Sequence, residues 1–219
     1  MPIPVSFLHT SPAAIPPLMQ YYGEHAPDLE ITNQLDDGLL RYFSRGASDA
    51  AEQRLAQMLA TARDEYGARV ALVTCSSVPP GVMTHLEAES GIPLLKIDNP
   101  MAEEAVRAGR RLGVVMSFRP TQEPTTRLLL DAAGRAGIEL ELTNGLVPEA
   151  YDALLGGRAD EHDRLLLAKI DELAAAGVDG IVLAQVSMAR LLPKLPSRVG
   201  VPVFSSLPSS LKRIREALA

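Results

Sequence analysis

Cys75 is the single cysteine among 219 residues, and its neighbours give it a chemical setting. It lies in the run Val70-Ala71-Leu72-Val73-Thr74-Cys75-Ser76-Ser77, where a short apolar stretch gives way to small polar residues. A stretch of that length reads as a buried strand, which puts the thiol at a strand end, ahead of a helical segment. Unpaired backbone N–H groups and the positive end of a helix dipole favour the thiolate there, a usable base or nucleophile. The same N–H groups, with the hydroxyls of Ser76 and Ser77, suit a carboxylate. The competing reading is a small, inert core hydrophobe, the usual role of a single buried cysteine.

Three other strand ends carry comparable groups. They are His9-Thr10-Ser11, Ser117-Phe118-Arg119 with Thr121, and Ala184-Gln185-Val186-Ser187. Hydroxyls at Thr10, Ser117, Thr121 and Ser187 suit an oxyanion, and a guanidinium at Arg119 or Arg127 suits the second carboxylate of a diacid. The alternative for both arginines is a solvated turn or helix face. Of the four histidines, His9 alone sits at an expected strand end and joins the candidate site. His25, His85 and His162 read as helix-face or loop residues. No pair has H-x-x-x-H spacing, so no metal is expected. The acidic pairs Asp36-Asp37 and Glu103-Glu104 read as solvated and give no glycosidase-type arrangement. The glycine fingerprint of dinucleotide binders, the phosphate-binding P-loop and the G-x-S-x-G elbow are all missing from the sequence.

The elements that must position these groups alternate along the chain. Strands are expected over Ile3–Leu8, Leu29–Gln34, Val70–Thr74, Leu94–Ile97, Leu112–Met116, Ile138–Leu142, Gly180–Ala184 and Val201–Phe204. Helices are expected over Asp49–Tyr66, Thr84–Ser90, Ala102–Arg110, Glu123–Ala136, Asp160–Ala176 and Ser209–Leu218. In the first of these, Ala50, Leu55, Met58, Leu59 and Ala62 share a stripe, with Ser48 or Asp49 as N-cap. Gly67, Gly91, Gly137 and Gly177 each follow a helical run, where a left-handed cap belongs. The stretch Gln34–Ser48, with Asp36, Asp37, Gly38, Arg41, Arg45 and Gly46, has no clear period and reads as a lid or a plain connection. Near-continuous apolar strands between helices imply parallel sheets covered on both faces.

An internal repeat organises the whole. Gly67–Ser77 (GARVALVTCSS) resembles Gly177–Ser187 (GVDGIVLAQVS), 110 positions later. Gly91-Ile92-Pro93 aligns with Gly200-Val201-Pro202 after one deletion, and Val5–Thr10 aligns with Val114–Arg119. The expected fold is α/β, with two pseudo-symmetric lobes, each a parallel sheet flanked by helices. Residues 1–98 plus 206–219 form the lobe carrying Cys75, and residues 99–205 the lobe carrying Gln185. Ligands bind outside the carboxyl ends of such strands, which puts the site in a cleft between the lobes.

Composition narrows the function. The chain is 47% apolar, 22% charged and 4% aromatic, with a net charge of −6 and no basic run, so neither disorder nor nucleic-acid binding is expected. Seventeen prolines and 16 glycines exclude a coiled coil. No stretch approaches a membrane span and the amino terminus lacks signal-peptide features, so no membrane association and a cytoplasmic location are expected.

The repeat and the Thr74-Cys75-Ser76-Ser77 segment resemble the aspartate/glutamate racemase superfamily, which includes hydantoin racemases, maleate isomerases and arylmalonate decarboxylases. The resemblance covers essentially the whole chain. It implies cofactor-independent chemistry at carbon next to a carboxylate, a small carboxylic or amino acid as substrate, and a homodimer. In the family, paired thiols from the two lobes move the proton while backbone amides and hydroxyls hold the carboxylate. Cys75 matches the first-lobe thiol, with Ser76 and Ser77 where Asn-Thr is frequent. Gln185 stands where the second-lobe cysteine is placed, and an amide is neither acid nor base near neutral pH. One-thiol decarboxylase or isomerase chemistry is therefore favoured over a two-thiol racemase. His9, Thr10, Ser76, Ser77, Ser117, Arg119, Thr121, Gln185 and Ser187 are the expected substrate-binding residues. The alternative is a catalytically inactive protein of the same fold that binds or senses a small carboxylate.

Overall fold

Two apolar tetrapeptides, Val70–Val73 and Gly180–Leu183, are buried at every position and form interior strands of two sheets. The computed structural model describes residues 1–45 and 48–219. Gly46, and the Ser48 side chain considered as an N-cap, lie outside the described residues. The first sheet contains β1 (Ile3–His9), β2 (Leu29–Leu35), β3 (Val70–Val73) and β4 (Leu94–Lys96), all parallel, in the order β2-β1-β3-β4. The second contains β5 (Arg111–Met116), β6 (Glu141–Leu146), β7 (Gly180–Leu183) and β8 (Val203–Ser205), also parallel, in the order β6-β5-β7-β8. The chain divides into two compact units, Met1–Asp98 with Ser210–Ala219, and Asn99–Ser209.

Helices cover both faces of each sheet, as the apolar strands require. In the first unit, Leu8, Ala71, Val73 and Leu94 pack on α3 (Ser48–Asp64) through Leu55 and Leu59, and on α4 (Pro80–Glu89) through Val82 and Leu86. The neighbouring residue Phe7 points the other way and meets Tyr22 of α1 (Ile15–His25) edge-on, with ring centroids 4.9 Å apart. The Tyr22 hydroxyl and Ser210 of α9 (Ser206–Leu218) share a buried hydrogen bond of 2.9 Å. In the second unit, Val115, Ile181 and Leu183 face Leu166, Ile170 and Leu173 of α8 (Ala159–Ala175). Leu112, Val114, Met116 and Val182 face Met101 and Ala105 of α5 (Asn99–Ala108) and Leu129 and Ala132 of α6 (Gln122–Ala136).

Gly67, Gly91, Gly137 and Gly177 all have positive φ, as their places after helical runs predict. The stripe of α3 is led by Ala51, fully buried, rather than by Ala50. Three helices went unread in the sequence: α1, α2 (Leu39–Ser44) and α7 (Pro148–Leu155). Prolines obscured α1 and α7, although proline in a first turn costs no hydrogen bond. For the same reason α4 begins at Pro80 rather than Thr84. Within the stretch Gln34–Ser48, residues Leu39–Ser44 form α2, whose Leu39 is buried in the core.

The strand expected over Ile138–Leu142 is instead β6, Glu141–Leu146. Ile138 belongs to the cap of α6: with Gly137 at φ 68°, its N–H donates to the Ala133 carbonyl at 2.9 Å. Asn144-Gly145 has poor strand propensity, which hid the second half of β6. A Cβ on Gly145 would lie 2.9 Å from Leu173 Cδ1, so glycine lets the α8 side chains pack close to the strand. β8 likewise runs Val203–Ser205 rather than Val201–Phe204.

Matching hydrogen bonds define the repeat. Thr74 N–H donates to Leu8 O and Ala184 N–H to Val115 O, both at 3.0 Å. Ala71 N–H donates to Pro93 O (2.9 Å) and Ile181 N–H to Pro202 O (3.0 Å), as the proline alignment anticipates. Cys75 and Gln185 are thus equivalent, and so are Thr10 and Ser117. Aligning Val5–Thr10 with Val114–Arg119 puts the first strands two residues out of this register. A two-residue slip preserves the in–out alternation of a strand, so the apolar pattern does not detect it.

Candidate active site

His9, the last residue of β1, is buried among three strand ends. Its Nδ1 lies 2.8 Å from Thr74 Oγ1, and its Nε2 lies 2.8 Å from Asn33 Oδ1 on β2. Asn33 Nδ2 donates to Met19 Sδ, which turns its oxygen toward the imidazole. Burial pushes the His9 pKa below the ordinary histidine value, opposed by the Asn33 bond. The Asn33 amide oxygen can only accept, so Nε2 donates to it, while Thr74 Oγ1 faces Nδ1 and also donates to the Leu8 carbonyl at 3.3 Å. Both nitrogens are engaged, so His9 clamps the carboxyl ends of β1, β2 and β3, beside Cys75. Thr10 follows it and is buried.

Cys75 is 7% exposed and caps a core cluster that includes Leu8 and Val78, whereas Ser76 and Ser77 are exposed. The N–H groups of Cys75, Ser76 and Ser77 donate to no protein acceptor among the described residues. The helix starts nearer to Cys75 than expected, at Pro80 rather than Thr84, but neither Pro79 nor Pro80 has an N–H. The donors nearest the thiol are therefore those of its own turn. Successive free amides of this kind suit an anion.

Lys96, the last residue of β4, is paired with Val73 in the strand register, and its side chain is 8% exposed. Its Nζ donates to the Ser76 carbonyl at 3.0 Å. Asp98 is also buried, with Oδ1 3.6 Å from that Nζ and no hydrogen-bond partner among the described residues. Neither residue was expected at the site. The sequence signal was a lone charge inside the apolar run Leu94-Leu95-Lys96-Ile97.

The second unit presents a different edge. Gln185 Oε1 accepts from the Ser117 N–H at 2.7 Å and from the Ser117 hydroxyl at 3.0 Å. Both Ser117 donors are thus engaged by an amide within the same unit. Thr121 donates its hydroxyl to Phe118 O at 2.6 Å, and the Phe118 ring lies 4.7 Å from that of Tyr151. Arg119 is exposed and has no ion-pair partner among the described residues. Arg127 pairs with Glu123 at 2.9 Å on an exposed face of α6. Ser187 is half-buried in the 3-10 segment Val186–Lys194 that follows Gln185.

That segment is tied down by a group unread in the sequence. His162 and Asp163 of α8 are both buried, with His162 Nδ1 2.9 Å from Asp163 Oδ1. Asp163 also accepts from Arg190 Nε at 2.9 Å and Lys194 Nζ at 2.7 Å. Burial alone would push its pKa up, but bonds from Lys194, His162 and Arg190 hold it below the ordinary carboxyl value. His162 was expected on a helix face or in a loop. Its spacing of four from Leu166, on the buried stripe of α8, was the available signal.

No group of three or more His, Cys, Asp or Glu among the described residues is arranged to hold a metal ion. No described helix is long and apolar enough to cross a membrane.

The family model for Asp/Glu/hydantoin racemases matches residues 18–213. No curated protein matches the chain significantly in sequence. Among solved structures, an aspartate racemase homologue from Pyrococcus horikoshii is similar over all of both chains, at 16% identity and a TM-score of 0.74. A glutamate racemase from Bacillus anthracis is similar over 99% of this chain and 81% of its own, at 14% identity and a TM-score of 0.68. A maleate isomerase from Pseudomonas putida is similar over all of this chain and 92% of its own, at 17% identity and a TM-score of 0.60. At these identities the likenesses show the shared fold.

Proposed function

The chain belongs to the Asp/Glu/hydantoin racemase family, and on that premise we propose an enzyme acting at carbon next to a carboxylate, with Cys75 as its one thiol. The observation that carries the proposal is the asymmetry at equivalent strand ends. One holds a thiol beside free Ser76 and Ser77 amides; the other holds an amide bonded to Ser117. Free amides and hydroxyls of Ser76, Ser77 and Thr10 anchor a carboxylate or a developing enediolate. Cofactors and metals have no part in the scheme.

Two reactions need only one thiol. In the first, the C–C bond of a malonate-type acid breaks, CO2 departs, and the enediolate carbon takes the Cys75 proton on one face; solvent then reprotonates the thiolate. In the second, the thiolate adds to an alkene carbon, the new single bond rotates, and elimination expels the thiolate to leave the other isomer. Two-thiol racemisation is disfavoured because the Gln185 amide is neither acid nor base near neutral pH.

The engaged Ser117–Gln185 pair also supports a second reading, a carboxylate-binding protein without turnover. Incubation in D2O with amino acids, malonates and maleate, followed by NMR, separates the readings. One-sided exchange, decarboxylation or alkene isomerisation, lost in Cys75→Ala with an unchanged melt, supports the enzyme. Retained activity in Cys75→Ala rejects the mechanism, and inversion rejects the one-thiol assignment. Measurable binding without chemistry across the panel supports the sensor.

A further inference from the structure

Lys96 stands out as a buried charge that the proposed chemistry leaves unused. Its ammonium is not in hydrogen-bond contact with its buried counter-charge: Asp98 Oδ1 is 3.6 Å away, whereas the Ser76 carbonyl is at 3.0 Å. Burying a charge is costly unless it is well paired, so a lysine that favours a neutral carbonyl marks a position where a cation has a use. The repeat supplies an internal comparison. Lys96 pairs with Val73 and Ser205 pairs with Leu183, so the two occupy equivalent positions. The unit with the thiol has a buried cation there, and the unit with the amide has a buried hydroxyl that finds no partner among the described residues.

We infer that Lys96 is a positioning residue for Cys75: it holds the Ser76 carbonyl, orienting the Cys75–Ser77 turn, and supplies the positive charge that favours an anion there. The anion is the Cys75 thiolate or a carboxylate held by the turn, and Asp98 moderates the charge. The inference rests on Cys75 being the reacting thiol.

The test is the rate of carboxamidomethylation by iodoacetamide, in which the thiolate forms an S–C bond and iodide leaves. Cys75 is the one cysteine, so intact-protein mass reports it alone. Because Cys75 is 7% exposed, a turn merely loosened by mutation reacts faster, whereas a turn that has lost its cation reacts more slowly. Lys96→Met with Asp98→Asn removes both charges without leaving an orphan carboxylate; the expected rate falls about tenfold near neutral pH. Asp98→Asn alone leaves the cation unmoderated, and its rate rises. Lys96→Arg keeps the charge and stays within about threefold of the parent. Unchanged or faster reaction of the double variant overturns the inference, as does slowing in Asp98→Asn; should the double variant not fold, the Asp98→Asn rate decides. Alkylation needs no substrate, so a protein inert toward the carboxylate panel but with Lys96-dependent alkylation loses the proposed function and keeps this assignment.

Discussion

His9 and Gln185 do their work through bonds rather than by offering a free group. Burial favours the neutral form of His9, against the pull of the Asn33 bond. A histidine held below its unfolded pKa adds stability above that value and loses it as pH falls through about 6.5, where the unfolded chain gains a proton that the folded chain refuses. The stability advantage of the parent over His9→Gln, from urea unfolding, is therefore expected to shrink between about pH 7.5 and about pH 5.5; an advantage independent of pH contradicts a neutral His9. Gln185→Ala leaves both Ser117 donors without their acceptor, at a cost of about 1–3 kcal/mol. Gln185→Glu supplies an oxygen in the same place, so its unfolding midpoint should fall between the other two. An alanine variant as stable as the parent would show that the pair carries no weight. The residue types at the equivalent positions 75 and 185 were legible in the sequence, but the partners of Gln185 and His9 were not, because each bond joins residues distant in the chain.

At the level of elements, what matters is how strand ends are held. Asp163 ties Arg190 and Lys194, in the segment after Gln185, to α8. Asp163→Ala strands the buried His162 and releases both cations, and a loss of about 3 kcal/mol or more is expected in chemical unfolding. The same variant should speed amide hydrogen exchange over Val186–Lys194 more than over β7. Gly137 is the second test: its left-handed φ makes Gly137→Ala cost about 1 kcal/mol, whereas Ala136→Gly, in the last turn of α6, should cost less. Existence and type of the central strands and the long helices were legible from apolar period and glycine caps. The proline-led helices and the far half of β6 were not, because proline and Asn-Gly suppress local propensity where tertiary packing overrides it.

For the whole molecule, the two units repeat one sheet order but differ in how the chain builds them. Asn99–Ser209 is continuous and has apolar clusters on both faces of its own sheet. The other unit includes Ser210–Ala219, whose Ser210 bonds Tyr22 and whose Arg215 pairs with Asp28. The fragment 99–209 is expected to melt cooperatively by circular dichroism, and the fragment 1–98 to melt at a lower temperature or without cooperativity. The opposite ranking would mean that α9 adds nothing to the first unit.

By itself the sequence determined the α/β class, the repeat, the capping glycines and the asymmetry of Cys75 against Gln185, since each is a matter of residue type and spacing along the chain. Only the tertiary structure decided that Thr10 matches Ser117, that Gln185 takes both Ser117 donors, and that Lys96 reaches the turn beside the thiol. These depend on which strands lie side by side and in what register. Strand adjacency joins groups as far apart as Ser117 and Gln185, a pairing that neither periodicity nor local propensity encodes.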